Sequence, residues 1–213
     1  MRKEDEEIAA TYSIEPATAE DIDWIASLEA EAYSPEDAVP RSILGEWYDT
    51  NPEGFSLVRM NGEKIGHIDI LPLRAKALRL FIDGAIIERE LRGDSLYTPE
   101  EREFIRDLYV ESIIIHPLGG RSNASGIAVM HLLYNFILLT KRMADPDKIE
   151  NIYAIAASKD GEHFMGKLGF ELAKRGQERK DQHNLYVARF AELKVRISNL
   201  FKRRPRYTRS QID

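Results

Sequence analysis

The sequence predicts an α/β protein of the α+β type, and three stretches carry that prediction. Residues 107–143, DLYVESIIIHPLGGRSNASGIAVMHLLYNFILLTKRM, read as a buried strand, a turn of small residues and a long apolar helix. Residues 54–60 and 64–71 are two β-rich runs around Asn61-Gly62, a pair that tight hairpin turns select. Ahead of them lies a helix with Ile22, Ile25, Leu28 and Ala32 at helical spacing.

Taken in order, residues 1–10 (MRKEDEEIAA) read as a solvated leader. Tyr12 opens a short strand, and Thr18 caps the first helix, whose opening turn holds Glu20 and Asp21 where the helix dipole favours acids. A second helix around residues 41–48 ends before Asn51-Pro52, and the hairpin follows. Residues 72–106 are too long for a hairpin loop and form an insert. Within it, residues 75–81 and 86–91 read as helical, and Thr98-Pro99 starts another helix. Its Leu78, Leu80, Phe81, Ile86 and Ile87 need a surface to bury against, either the rim of a cleft or a second subunit.

The strand at residues 108–115 is rich in β-branched side chains and closes at His116-Pro117. Gly119, Gly120, Ser122, Asn123, Ser125 and Gly126 then turn the backbone and leave its N–H groups open. A loop of this kind opening a buried helix is an anion site, because the first four amides lack partners and the dipole favours negative charge. Asp145-Pro146 ends the helix, residues 151–157 form a fifth strand, and Ser158 opens a helix through Leu168 that Gly169 caps. Residues 184–190 make the final strand. Residues 191–213 change character: an amphipathic run at 193–201 precedes Lys202, Arg203, Arg204 and Arg206. This reads as a solvated, frayed tail, or else as a patch for an anionic membrane or RNA.

Composition narrows the function. At 213 residues the chain suits one sizeable core, and a net charge of −6 argues against nucleic acid and is compatible with cationic substrates. Absence of Cys excludes disulfides, a thiol nucleophile and thiolate metal sites, and the five His residues show no ligand spacing, so no metal is expected. No apolar run reaches the roughly 18 residues of a membrane span, and the N-terminus lacks the apolar region of a signal peptide, so a cytoplasmic protein is expected. The dinucleotide fingerprint G-x-G-x-x-G and the phosphate loop G-x-x-x-x-G-K-[ST] are both absent.

The turn resembles the acyl-CoA motif Q/R-x-x-G-x-G/A of the GNAT superfamily of N-acetyltransferases, here Asn123-Ala124-Ser125-Gly126-Ile127-Ala128 with Asn in the first place. Lys167-Leu168-Gly169-Phe170 resembles the "k-L-G-F" signature of the same superfamily, about 40 residues downstream and in the right order. The opening Ile14-Glu15-Pro16-Ala17-Thr18 and the element order over residues 11–190 fit as well. The resemblance implies a single GNAT domain with a mixed, mostly antiparallel sheet, splayed between its fourth and fifth strands and flanked by helices.

That resemblance also implies a function: transfer of an acetyl group from acetyl-CoA to a primary amine by direct attack. The pyrophosphate would lie on residues 119–128, with Arg121 supplying a cation two residues before Asn123. Backbone groups of Ile113, Ile114 and Ile115 would hold the pantetheine and thioester, aided by Ser158 and Phe164. Glu111 is the general-base candidate, since a carboxylate on a buried strand has its pKa raised toward useful values. Its alternative is a strand-start Glu paired with a Lys or Arg of the insert. His116 is the second catalytic candidate, or else caps the strand end or touches the cofactor loop. Met165 stands where similar enzymes carry a Tyr that protonates the thiolate. That departure sustains a second reading, a catalytically weak CoA-binding or protein-interaction module.

Overall fold

A computed structural model describes residues 10–116 and 124–202. Its frame is one seven-stranded sheet in the order β1-β2-β3-β4-β5-β7-β6. The strands are β1 Tyr12–Pro16, β2 Phe55–Met60, β3 Glu63–Leu71, β4 Asp107–Ile115, β5 Asn151–Ile155, β6 Glu171–Lys174 and β7 Leu185–Arg189. All neighbours pair antiparallel except β4 and β5, which run parallel. The helices are α1 Ile22–Ala32, α2 Arg41–Thr50, α3 Ala75–Ile82, α4 Ala124–Met143, α5 Lys159–Leu168 and α6 Phe190–Lys202.

Local chemistry sets these boundaries. Asn61 and Gly62 both hold positive φ, 53° and 84°, the pattern of a type I′ turn that matches strand twist. The Thr18 backbone N–H donates to Asp21 Oδ2 at 2.8 Å and closes the entry to α1. Gly169, at φ 85°, ends α5 in the left-handed conformation.

Two apolar layers cover the sheet. On one face α1, α2 and the insert pack through Ile25, Leu44, Trp47, Phe81, Leu91 and Tyr109. On the other face α4 and α6 pack over Ile68, Leu108, Val110 and Ile152. Among the described residues no helix is long and apolar enough to cross a membrane.

Two expectations are corrected here. Residues 86–91 do not form a helix; a single 3-10 turn spans Glu88–Glu90. Gly84 at φ 75° breaks the preceding helix, and the Trp47 indole N–H donates to the Leu91 carbonyl at 3.0 Å, holding an extended chain. The expected Thr98-Pro99 helix start is present, as a 3-10 helix over Pro99–Phe104. The stretch from Ala191 is not a frayed tail as far as Lys202. It is α6, with Phe190, Leu193 and Ile197 buried against the sheet and α4. Each such side chain contributes about 1.5–3 kcal/mol of hydrophobic stabilisation, which outweighs the usual fraying of a terminal segment.

Candidate active site

The sheet opens where β4 and β5 part. Their ladder holds four pairs, from Asp107 with Asn151 to Val110 with Ala154. Beyond Val110, β4 continues to Ile115 paired with β3, and β5 continues to Ile155 paired with β7. The β5-facing backbone groups of residues 111–115 have no strand partner among the described residues. Glu111 sits at this fork. Asp69 pairs with Ser112 and Ile70 with Val110, so Glu111 is the extra residue of a β-bulge.

A cavity of about 720 Å³ fills the fork and runs beneath α4, α5 and α6. Ile113, Ile114, Ile115, Ser158 and Phe164 line it, together with mostly apolar side chains such as Leu132, Phe136 and Ile197. A second cavity of about 30 Å³ also reaches Glu111. Its walls are Glu29, Glu88 and Glu111 with Tyr33, Asp37 and His183. Tyr33, Asp37, Glu111, Ile155 and Ala157 belong to both, so the two cavities adjoin at the bulge.

Three segments distant in sequence close the acidic side. Arg89 of the insert donates to the carbonyls of Pro35 and Glu36 at 3.2 and 3.1 Å. His183 lies 2.9 Å from Asp37, and Lys180 pairs with Glu90 at 2.5 Å. Arg179 donates to the Phe81 carbonyl at 2.6 Å and lies over that residue's ring. The insert therefore forms part of the wall of the small cavity, contributing Glu88, whose carboxylate accepts a hydrogen bond from the Tyr109 hydroxyl.

Electrostatics follow from this crowding. Glu111 is 9% exposed and its Oε2 has no hydrogen-bond partner among the described residues. Burial pushes its carboxyl well above the usual range, and Glu29, Glu88 and Asp69 push it further. Burial raises Glu88 to about 8 against the hydrogen bond from Tyr109, with Glu29 and Asp181 adding to the rise. Burial also raises the Tyr33 phenol, helped by Glu29, so it stays protonated. Its oxygen lies 3.3 Å from Ser112 Oγ.

Behind this basin, His67 is buried between two carboxylates, with Nδ1 3.1 Å from Asp69 and Nε2 3.4 Å from Glu29. Burial opposes its charge, but Asp69 and Glu29 outweigh that and raise it to about 9. Neither contact has hydrogen-bond geometry, so charge attraction rather than a directed bond holds the trio. Donor atoms of all three lie within 4.8 Å of one another. The carboxylates face opposite ring nitrogens, an arrangement that suits an imidazolium bridging two anions better than a shared ion.

Of the candidates named from sequence, Glu111, Ile113, Ile114, Ile115, Ser158 and Phe164 line the large cavity together with Met165. The Ser158 hydroxyl accepts from the Gly161 N–H at 3.1 Å and so caps α5. Residues Ala124, Ser125, Gly126, Ile127 and Ala128 form the first turn of α4. Ala128 is wholly buried in the core, whereas a Cβ placed on Gly126 would meet nothing within 4 Å. Arg121 and Asn123 lie outside the described residues. His116 stands exposed at the strand mouth, its Nε2 3.8 Å from Glu31, and is not part of either cavity wall.

Sequence reasoning missed Tyr33, Glu29, Glu88, Asp37 and His183. One signal was available: Glu29 occupies a core-facing position of the first helix, and His67 and Asp69 interrupt an otherwise apolar strand. An ionisable residue on an apolar face asks for a partner or a function. Nothing in the spacing of Glu88 or His183 marks them.

The sheet order, the fork between β4 and β5 and the adjoining helices define a protein with the GNAT fold. Solved structures agree. The chain is similar to the loading GNATL domain of CurA from Lyngbya majuscula, at 13% identity over 84% of this chain and 98% of that one, with a TM-score of 0.59. It is similar to the GNAT-like decarboxylase GphF in complex with isobutyryl-CoA, at 17% identity over 84% and 99%, TM-score 0.56. It is also similar to Arabidopsis thaliana Naa50 in complex with the bisubstrate analogue CoA-Ac-MVNAL, at 10% identity over 84% and 98%, TM-score 0.50. No family model matches the sequence, and no curated protein matches it.

Proposed function

We propose that this protein transfers an acyl group from a CoA thioester to a primary amine, with acetyl-CoA the donor implied by the sequence resemblance. One observation carries the reading: Glu111 stands at the fork and lines both the large cavity and the acidic basin. The thioester would lie against the open edge of β4, where unpaired backbone groups can steady its oxygen. The amine would enter from the basin as an ammonium, drawn by Asp37 and Glu29. Glu111 gives up its proton to solvent as the cation enters, and the resulting carboxylate takes a proton from nitrogen. The nitrogen then attacks the carbonyl carbon, the C–N bond forms, and the C–S bond breaks as the tetrahedral intermediate collapses.

Tyr33, protonated and lining both cavities, hydrogen-bonds the departing thiolate, which takes up the proton that the newly acylated nitrogen releases. It stands in for the Tyr that Met165 replaces. Decarboxylation, named for GphF, fits less well, because among the described residues no Lys or Arg lines either cavity to hold a carboxylated acyl chain. A binding module without turnover is the second reading, and Met165 favours it.

The test is a screen of amine, polyamine and peptide pools by mass spectrometry, with CoA thiol release measured in parallel. Transfer to one class of amine, lost in Tyr33→Phe and Glu111→Gln, supports the enzyme. CoA binding without release in any pool leaves the module.

A further inference from the structure

The large cavity is deeper than a two-carbon acyl group requires. Below the fork it continues between α4, α5 and α6, walled by Leu132, Phe136, Leu168, Phe170, Leu193 and Ile197. Not one of these side chains offers a donor or acceptor. A pantetheine arm carries two amides, and amides taken from water need partners. Such partners exist along the open edge of β4, so the arm belongs there and not in the hydrocarbon recess. An acetyl group would reach only the mouth of the recess, and apolar walls without contact atoms forfeit dispersion energy.

The bulge gives the recess its connection to the chemistry. Val110 faces the α4 layer and lines the recess, while its neighbour Glu111 faces the basin. A thioester carbon placed between them would direct its acyl chain one way and receive the amine from the other. We infer that the acyl donor is a medium-chain acyl-CoA whose aliphatic tail of about six carbons occupies this recess. The length follows from the walls. Leu132 to Phe136 and Phe164 to Leu168 each advance four helical residues, roughly 6 Å, which an extended chain spans in about five bonds.

The inference rests on the acyl-CoA reading above, and the experiment separates the two. Affinities of the full chain for CoA and for acetyl-, butyryl-, hexanoyl- and octanoyl-CoA are measured by calorimetry. The expected result is a gain of about fourfold per methylene up to hexanoyl, roughly 250-fold over acetyl-CoA, with no further gain at octanoyl. Leu193→Trp fills the recess from α6, and Ile197→Phe does so more gently. Both should weaken hexanoyl-CoA by at least about tenfold and leave acetyl-CoA within about twofold, which also shows that the variants fold. Equal affinity for all esters, or equal loss of acetyl- and hexanoyl-CoA in both variants, overturns the tail assignment while the cleft stands. Failure of CoA and every ester to bind removes the cleft reading and this inference with it.

Discussion

Replacing Glu111 with Gln separates a catalytic carboxylate from a structural one, because the two roles predict opposite changes in stability. Gln keeps the shape and removes the ionisable group. In the folded protein burial and three neighbouring carboxylates raise the Glu111 pKa far above its ordinary 4.5. A folded-state pKa above the unfolded one means that the native state binds more protons between the two values. Stability then falls as pH rises through that window. Gln has no such slope, so E111Q should melt at or above the wild-type temperature near pH 8. Catalysis should go the other way: loss of a general base costs about 10²–10⁴ in kcat/KM, or about 2.7–5.4 kcal/mol of barrier. The loss should shrink at high pH, where more of the amine is already deprotonated. Thermal melts and thiol release at pH 6 to 9 read both quantities, with the best amine from the screen as acceptor. A variant that is destabilised at every pH and retains its rate would refute the reasoning, and Glu111 would be an ordinary buried partner.

His67→Gln leaves Asp69 and Glu29 buried without their cation and should cost about 3–5 kcal/mol in urea denaturation at pH 6. The His67 contribution is fully present below about pH 6.5 and lost as pH rises through about 9, so the gap to wild type should close on the alkaline side. Gly66→Ala would place a Cβ 2.2 Å from the Ile114 carbonyl oxygen and 2.7 Å from Ile115 Cδ1. Pushing that end of β4 should cost about 1–3 kcal/mol and raise the Kd for acyl-CoA several-fold. Replacing residues 75–95 with a Gly-Ser linker should abolish cooperative unfolding, because Leu78, Phe81 and Leu91 bury with Trp47 at about 1.5–3 kcal/mol each. A linker variant that melts cooperatively with only its acceptor KM changed would show the insert to be a dispensable lid.

The backbone frame was legible where local chemistry decides it. Asn61-Gly62, Thr18 and Gly169 set turns and caps whose geometry depends on a few adjacent residues, and the β-branched run of β4 allows little but a strand. Residues 86–91 misled because their apolar spacing fits a helix, while the tertiary bond from Trp47 to Leu91 decides otherwise. The amphipathic pattern of α6 was visible. Its docking was not, since the pattern does not say that the α4 layer leaves a face uncovered. The same limit applies to the site. Glu111 and the isoleucines after it lie on one strand beside a motif, whereas the basin joins side chains from residues 29, 88 and 183. No spacing rule links such distant positions, and only the folded chain brings them together.

The parallel seam between β4 and β5 has a consequence for how the chain acquires its shape. Strands β1 to β4 are neighbours in the order in which they occur, and the β2–β3 hairpin closes locally, on a timescale of microseconds. The other half cannot zip this way. β5 takes β7 as its antiparallel partner, so residues 185–189 must be present before β5 gains its second edge. During synthesis the first four strands can collapse while β5 waits for a distant segment, and non-local pairings of this kind are slow. The fork needs both halves of the sheet, so the cleft cannot be complete until residues 185–189 have joined β5.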